Sequence, residues 1–421
     1  MTPQLGIIAD DFTGALLVAG VLEGAGITAP VFFDAASVKG EGAVLVLATR
    51  SRLVPVEEAR DLIREGAEAL DRAGARRLAY KACASFDSTE EGNIGLAAEL
   101  LSDRAGGRPV LMSAGFPRFN ATVHQGYLFY RGRLVSESVK RFDPLTPMSD
   151  PDVVRFLSRQ TRSPVSLLSH LKLLGGLAAA RAEWDRLTAG GARHVLADAS
   201  DDGDVALSVE LALAVEPVVV ASDPLIIGYA TALARNAAQP GPTRAPRRIN
   251  GPGAVLVGSV GPTAEAQIAG FAAEGHEILT LDLLEGAPEP AAVARALAWA
   301  APRIGARPFA IATTAAPDAV ERVQAALGQT GAARKAERLL SGIGAGLRER
   351  GIRRLVVSGG ETSGAVVAAL GAQKVRALPE TPHGSGFCVT EGETPMALFL
   401  KSGKLGADDV FARALELMGD P

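Results

Sequence analysis

"IADDFTGALLVAG", residues 8–20, decides the fold of the first half: an apolar, β-prone run ends on two adjacent acids, and a Thr-Gly pair opens a segment of helical character. A strand that turns directly into a helix is the repeating unit of a parallel sheet covered by helices. Asp10 and Asp11 stand at that turn. Two roles compete for them: chemistry at a strand end, or a cap that Asp11 supplies to a helix beginning near Thr13.

The same rhythm recurs outward from this stretch. Short β-rich runs ("APVFFD", "AVLVLAT", "RLAYKA", "PVLMSAG", "HVLADAS", "PVVVAS") alternate with helical patterns such as "PVEEARDLIREGAEALDRAG". The alternation breaks at "QPGPTRAPRRINGPG", residues 239–253, which carries four Pro, three Gly and three Arg and no apolar periodicity. It restarts with "GAVLVGSV", "HEILTLD", "PFAIATT" and "RLVVSGG", each followed by an Ala-rich helical segment, and ends in "DDVFARALELMG". The expectation is an α/β fold of two tandem α/β domains, residues 1–238 and 254–421, each with a mostly parallel sheet flanked by helices, joined by the linker 239–253. The cleft between two such domains is the default place for a ligand.

Size and charge narrow the partner. A chain of 421 residues exceeds the length at which one core usually keeps growing. Forty-three Lys and Arg against 47 Asp and Glu, for a net charge of -4 with no long block of one sign, argue against a nucleic-acid footprint or a membrane surface and for a small molecule. Cys83 and Cys388 form no disulfide framework or zinc pattern, and His124, His170, His194, His276 and His383 show no metal-ligand or triad spacing. The start "MTPQLGIIADD" lacks a secretory pattern, and Glu216, Pro217, Asp223 and Pro224 interrupt the most apolar later stretch, so a cytoplasmic protein is expected.

Three glycine clusters mark the second half. "RLVVSGGETSGAVVAALG", residues 354–371, runs a strand into Ser358, Gly359, Gly360, Glu361 and Thr362 and then a helix, a turn through which backbone N–H groups approach an anion. It is neither a P-loop nor a dinucleotide fingerprint, and a plain βα turn with a Ser/Thr cap is the competing reading. "FLKSGKLGADD" sets Lys401, Ser402 and Gly403 after an apolar run, and "VLVGSVGPTAEAQIAGF" ends a strand at Gly258-Ser259. Three such strand ends in one domain favour a nucleotide. "GIGAGL", residues 342–347, follows a helix and reads as a flexible helical stretch.

The first half carries polar strand ends instead: Ser51 and Arg52, then Lys81, Asp87 and Ser88, then Asp143. Cations suited to a carboxylate and an acid to accept a hydroxyl proton are what a hydroxy-acid site needs. The bland readings are a capping box from Ser88 to Glu91, a solvated Arg52 and a Cys83 packed as a small hydrophobe.

Taken in order, "IADDFTGA", "SRLVPVEEA", "YKACASFDS" with "GNIG", "DPLTPM", "GS" with Gln267, "SGGETSGA" and "KSGKLG" resemble the four-carbon acid sugar kinase family, over nearly the whole chain. The "FDS" form looks most like its 3-oxo-tetronate kinase branch. The resemblance implies an ATP-dependent enzyme that phosphorylates the terminal hydroxyl of a small sugar acid, with ATP held in the C-terminal domain by Ser259, Ser358, Gly359, Gly360, Glu361, Thr362, Lys401, Ser402 and Gly403. It implies a sugar acid in the N-terminal domain beside Asp10, Arg52, Lys81 and Asp87, with Asp11 taking the hydroxyl proton. Mg²⁺ is expected because phosphoryl transfer needs the phosphate charges neutralised, with no metal-ligand residue assigned. A homodimer is the common state for a cytosolic enzyme.

Several positions depart from the family pattern. Leu16 and Leu17 stand where a Thr, Ser or Asn and then an acid are usual, and Asn120, Ala121 and Thr122 replace a Gly-Arg-Thr run, removing a guanidinium suited to the substrate carboxylate. "ASDPLI" near 222 replaces a small Gly/Ser-rich turn, and Lys404-Leu405 replaces Asn-Phe. Departures gathered on the substrate side leave D-threonate, D-erythronate or a branched acid such as 3-oxo-isoapionate as alternative acceptors, and a catalytically inactive nucleotide-responsive binding protein as the alternative of another class.

Overall fold

The computed structural model describes residues 2–143, 146–237, 248–313, 317–379, 386–403 and 406–419, without the side chains of 317, 318 and 329. Residues 239–247 of the proposed linker, Pro144 and Leu145 of "DPLTPM", His383, Lys404 and Leu405 lie outside the described residues. The chain divides into two compact units, Met1–Thr243 and Arg244–Pro421.

In the first unit, β1 (Leu5–Ala9), β2 (Val31–Phe32), β3 (Val44–Ala48), β4 (Leu78–Lys81) and β5 (Val110–Ser113) are runs of Val, Leu, Ile and Ala buried on both faces. β6 (Ala121–His124), β7 (Tyr127–Tyr130) and β8 (Arg133–Leu134) form a separate antiparallel sheet, and β9 (Val165–Leu168), β10 (His194–Ala197) and β11 (Val218–Ala221) return to the main one. The main sheet runs β2-β3-β1-β4-β11-β5-β10-β9 with neighbouring strands parallel throughout. Parallel strands bring all their C-terminal ends to one edge. The chain leaves β1 toward β2 and leaves its neighbour β4 toward β5, so the connections diverge between these two strands, which is where open α/β sheets bind ligands.

The antiparallel sheet and β9 were not anticipated from sequence. Its two turns are Gln125-Gly126 and Arg131-Gly132, each with both residues at positive φ, the two-residue loop that matches strand twist. The usual Asn or Asp before the glycine is absent, so the turn signal is weak. The buried carboxylate of Asp198, just past β10, fastens this sheet by accepting the N–H groups of Gln125 at 2.7 Å, Gly126 at 2.9 Å and His170 at 2.8 Å.

The second unit contains β12 (Gly253–Val257), β13 (Glu277–Thr280), β14 (Phe309–Ala312), β15 (Arg354–Ser358), β16 (Lys374–Ala377), β17 (Phe387–Thr390) and β18 (Ala397–Lys401). Their order is β13-β14-β12-β15-β18-β17-β16, parallel through β18 and antiparallel at the β18-β17-β16 edge. Here the connections diverge between β12, which leads to β13, and β15, which leads to β16. "GIGAGL" lies inside the helix Gln329–Glu349, and its glycines serve close packing: a Cβ at Gly346 would stand 2.4 Å from Leu297. No helix among the described residues is long and apolar enough to cross a membrane.

Replacing Asp198 by Ala strands three backbone donors, that of Gly126 buried and those of Gln125 and His170 part-buried, at a cost of about 3 kcal/mol. Asp198→Ala is therefore expected to lower the melting temperature by roughly 6–12 °C, measured by thermal denaturation; a shift under about 2 °C would show that this carboxylate does not fasten the small sheet.

Candidate functional site

The helix Phe12–Gly24 begins directly after β1, with Asp11 as its N-cap: Oδ1 accepts the Gly14 N–H at 2.6 Å. Behind this first turn lies the buried ammonium of Lys81, from the end of β4. A Cβ on Gly14 would sit 1.8 Å from Lys81 Nζ, so the glycine in "DFTGA" is what lets the lysine reach over the helix start.

Lys81 Nζ stands 3.4 Å from Asp223 Oδ1, 3.6 Å from Asp10 Oδ1 and 3.9 Å from Asp11 Oδ1. Burial alone would pull its pKa down, but Asp223, Asp11 and Asp10 outweigh that and hold it above the ordinary lysine value. The acids absorb the strain. Burial lifts Asp10 to about 6 and raises Asp223, whereas in Asp11 the upward push of burial loses to Lys81, Arg52 and the Gly14 N–H, leaving it below the usual carboxylate range.

Arg52, after β3, joins the same cluster, donating to Asp11 Oδ2 at 3.2 Å and to Asp87 Oδ2 at 2.7 Å, so the solvated-arginine reading fails. Lys140 donates to that same Asp87 oxygen at 2.5 Å. Among the described residues the buried atoms Asp10 Oδ1, Asp87 Oδ1, Asp223 Oδ1 and Arg52 Nε have no hydrogen-bond partner, although Asp10 Oδ1 and Asp223 Oδ1 still face the Lys81 ammonium. Buried charges with unmade hydrogen bonds are expensive and gather at functional sites.

A chain of polar groups ties the strand ends beneath the cluster. Asn93 Nδ2 donates to Tyr80 Oη at 2.8 Å, Tyr80 Oη lies 2.8 Å from Ser51 Oγ, Ser51 Oγ lies 2.8 Å from Thr49 Oγ1, and Thr49 Oγ1 donates to the Ala9 carbonyl at 2.8 Å. Ser88 is no helix cap: its hydroxyl donates to Asn93 Oδ1 at 2.8 Å, and the helix starts only at Ile94. Cys83 is packed into the cluster, with its N–H on Asp10 Oδ2 and its Sγ accepting the Asp87 N–H, and burial pushes its thiol up to about 12. Asp143 accepts the Thr146 N–H at 3.1 Å.

The structure thus brings Asp10, Asp11, Arg52, Lys81 and Asp87 to one end of the sheet, and adds two residues that sequence reading missed. Asp223 enters from "ASDPLI", the segment noted as a departure, as the first residue of the helix Asp223–Asn236. Lys140 enters from the short 3-10 helix Val139–Phe142, 53 residues beyond Asp87, with no local pattern to mark it. Leu16 is buried in its helix, and Ala121 in β6. Arg118 is exposed, its guanidinium 5.1 Å from the Phe119 ring centroid.

In the second unit the three glycine clusters meet at the ends of the adjacent strands β12, β15 and β18. Lys401 Nζ donates to Ser358 Oγ and to Gln267 Oε1, both at 3.0 Å, and Ser259 Oγ lies 3.0 Å from Ser358 Oγ. Gly359 N–H donates to the Lys401 carbonyl at 2.9 Å, locking the β15 turn to β18. Gly359 has φ 128, a conformation only glycine adopts readily, and a Cβ on Gly403 would come 2.2 Å from Ser259 Cβ. At Gly360 a Cβ would meet nothing within 4 Å: the start of the helix Gly360–Ala369 opens on free space. Its first-turn N–H groups have no acceptor within the helix and suit an anion. Among the described residues no carboxylate pairs with Lys401, and burial lowers its pKa to about 8.

Comparison with known proteins agrees with this division of chemistry. A sugar-binding N-terminal domain model matches residues 5–229, and a nucleotide-binding C-terminal domain model matches residues 254–411. The 3-oxo-tetronate kinase of Burkholderia multivorans is 38% identical over 423 residues, covering 99% of this chain and 97% of the relative. That of Cupriavidus necator is 37% identical, covering 99% and 98%. A crystal structure from Salmonella typhimurium LT2 is similar at TM-score 0.83 and 30% identity over 98% of both chains, and one from Haemophilus influenzae at TM-score 0.76 and 26% identity over 98% of this chain and 100% of the other.

Gly14→Ala drives a methyl group into Lys81. Displacing a buried lysine from its carboxylates costs about 3 kcal/mol, so the melting temperature is expected to fall by roughly 6–12 °C; an unshifted melting curve would mean that Lys81 does not need the space above Gly14.

Proposed function

This chain belongs to the four-carbon acid sugar kinase family, and from that membership we propose that it transfers the terminal phosphoryl group of ATP to the terminal hydroxyl of a four-carbon oxo sugar acid of the 3-oxo-tetronate type. The observation that carries the proposal is a division of labour between two strand-edge sites. One is crowded with paired charge suited to an acid bearing hydroxyls; the other is a glycine-lined cradle with one buried lysine and a helix start, suited to phosphate. We further propose that the enzyme works in the cytoplasm as a homodimer.

In this reading the triphosphate is held by the backbone at Ser259, Ser358–Thr362 and Ser402–Gly403 and by the Lys401 ammonium, which carries charge to the transferring group. The first-turn N–H groups of the helix Gly360–Ala369 would face a phosphate, and Mg²⁺ would neutralise the β and γ charges. Among the described residues there is no group of three or more Asp, Glu, His or Cys side chains that could hold a metal ion.

On the acceptor side, Asp11 is the acid that a substrate can touch: its side chain is 29% exposed, whereas Asp10, Asp87 and Asp223 are nearly inaccessible. Ionised and held rigid by Gly14 and Arg52, it orients the attacking hydroxyl and takes its proton as the new P–O bond forms. Asp10 and Lys81 behind it fix its position and charge. Catalysis of this kind is mostly positioning and electrostatics.

The direct test is ADP release with MgATP and a panel of linear 3-oxo-tetronates, D-threonate, D-erythronate and branched oxo acids. Turnover of a linear four-carbon acid is expected; ATP binding without turnover of any acid would leave a nucleotide-responsive binding protein. Gly360→Val fills the cradle without touching a neighbour, so it is expected to fold normally and lose nucleotide affinity, read by calorimetry. Wild-type affinity in that variant would remove the cradle from ATP binding. Because a bound polyanion favours the protonated ammonium, ATP affinity is expected to fall as pH rises through about 8, the pKa of Lys401. In Lys401→Met that slope is expected to vanish.

A further inference from the structure

We infer that Lys140, together with Arg52, recognises the carboxylate of the acceptor. The inference rests on the sugar-acid reading above and adds to it a residue that supplies the cation missing at Ala121.

Lys140 is not an ordinary surface lysine. Its N–H donates to the buried Ser138 Oγ at 3.1 Å and its carbonyl accepts the Met148 N–H at 3.0 Å, so the backbone is held on both sides. Its ammonium lies 5.4 Å from the Tyr130 ring centroid, which limits its range on that side. Two cations, Arg52 Nη2 and Lys140 Nζ, converge on the single oxygen Asp87 Oδ2. Both bonds leave the second oxygen of that carboxylate, Oδ1, without a hydrogen-bond partner among the described residues, and Arg52 Nη1 reaches on to Asp11. The Asp87 side chain is 1% exposed, while Arg52 and Lys140 are each 21% exposed, so the cations cover the acid and keep part of their own surface open to solvent. Paired cations on a shared buried anchor suit a small organic carboxylate: the guanidinium supplies planar donors and the ammonium a point charge. With Asp11 beside Arg52, a bound acid would present its carboxylate to the cations and its hydroxyls to the acid.

The decisive comparison uses Lys140→Gln and Lys140→Arg with D-threonate and with its primary amide, which keeps the hydroxyls and loses the charge. If Lys140 binds the carboxylate, Lys140→Gln raises KM for the acid roughly 10- to 100-fold, leaves KM for ATP within about twofold, and changes KM for the amide by less than about threefold. Lys140→Arg recovers most of the loss. Equal losses on acid and amide would reduce Lys140 to a structural counter-ion of Asp87, and a loss confined to ATP would assign it to phosphate; either overturns the inference. Calorimetric titration of D-threonate without nucleotide reads the same residue independently of phosphoryl transfer: weaker binding by Lys140→Gln is expected, and equal binding overturns the inference. Failure of the wild type to release ADP with any acid would instead count against the kinase reading.

Discussion

A buried ammonium set among three carboxylates is the constraint around which the first unit is organised. Lys81 leaves water at large cost, and only the combined pull of Asp10, Asp11 and Asp223 keeps it charged. Each neighbour then has a fixed duty. Gly14 vacates the space the lysine needs, Asp11 turns its other face to the helix start and to Arg52, and Asp223 comes from the end of a different strand. The strain passes to the acids, most visibly to Asp10, whose carboxyl burial lifts to about 6.

The two units solve opposite electrostatic problems with the same architecture. Both gather polar residues where strand connections diverge, yet Lys81 lies among acids and is held charged, while Lys401 lies among neutral oxygens and is pushed toward deprotonation. A lysine without a carboxylate partner is one that an incoming polyanion stabilises strongly, since the ligand supplies the missing counter-charge. A lysine already compensated does little attracting and much positioning. The chemistry of each site follows from which of these environments its strand ends provide.

Much of this was legible in the sequence. The strand-turn-helix pattern at 8–20 and the glycines at 258, 359, 360 and 403 fix local geometry through backbone chemistry, and Arg52 and Lys81 are singled out by standing at the ends of apolar runs. What was not legible depends on contacts remote in sequence. Lys140 acquires meaning only from Asp87, and Asp223 looked like an interruption of an apolar stretch until the fold set it beside Lys81. Ser88 followed by Glu91 imitates a capping box, but the hydroxyl is drawn to Asn93 instead. The small antiparallel sheet escaped because Gln125 and Arg131 take the left-handed conformation without the residue types that advertise it.

The polar chain beneath the cluster has a direction. Asn93 Nδ2 can only donate, and the Ala9 carbonyl can only accept. Between these ends each hydroxyl of Tyr80, Ser51 and Thr49 must receive from one side and give to the other, so every O–H dipole points the same way along the chain. Hydrogen bonds aligned in series polarise one another. The ends of β4, β3 and β1 are thereby joined by a small polarised wire that terminates one residue before Asp10, and its sense is set by an amide far along the sequence at Asn93.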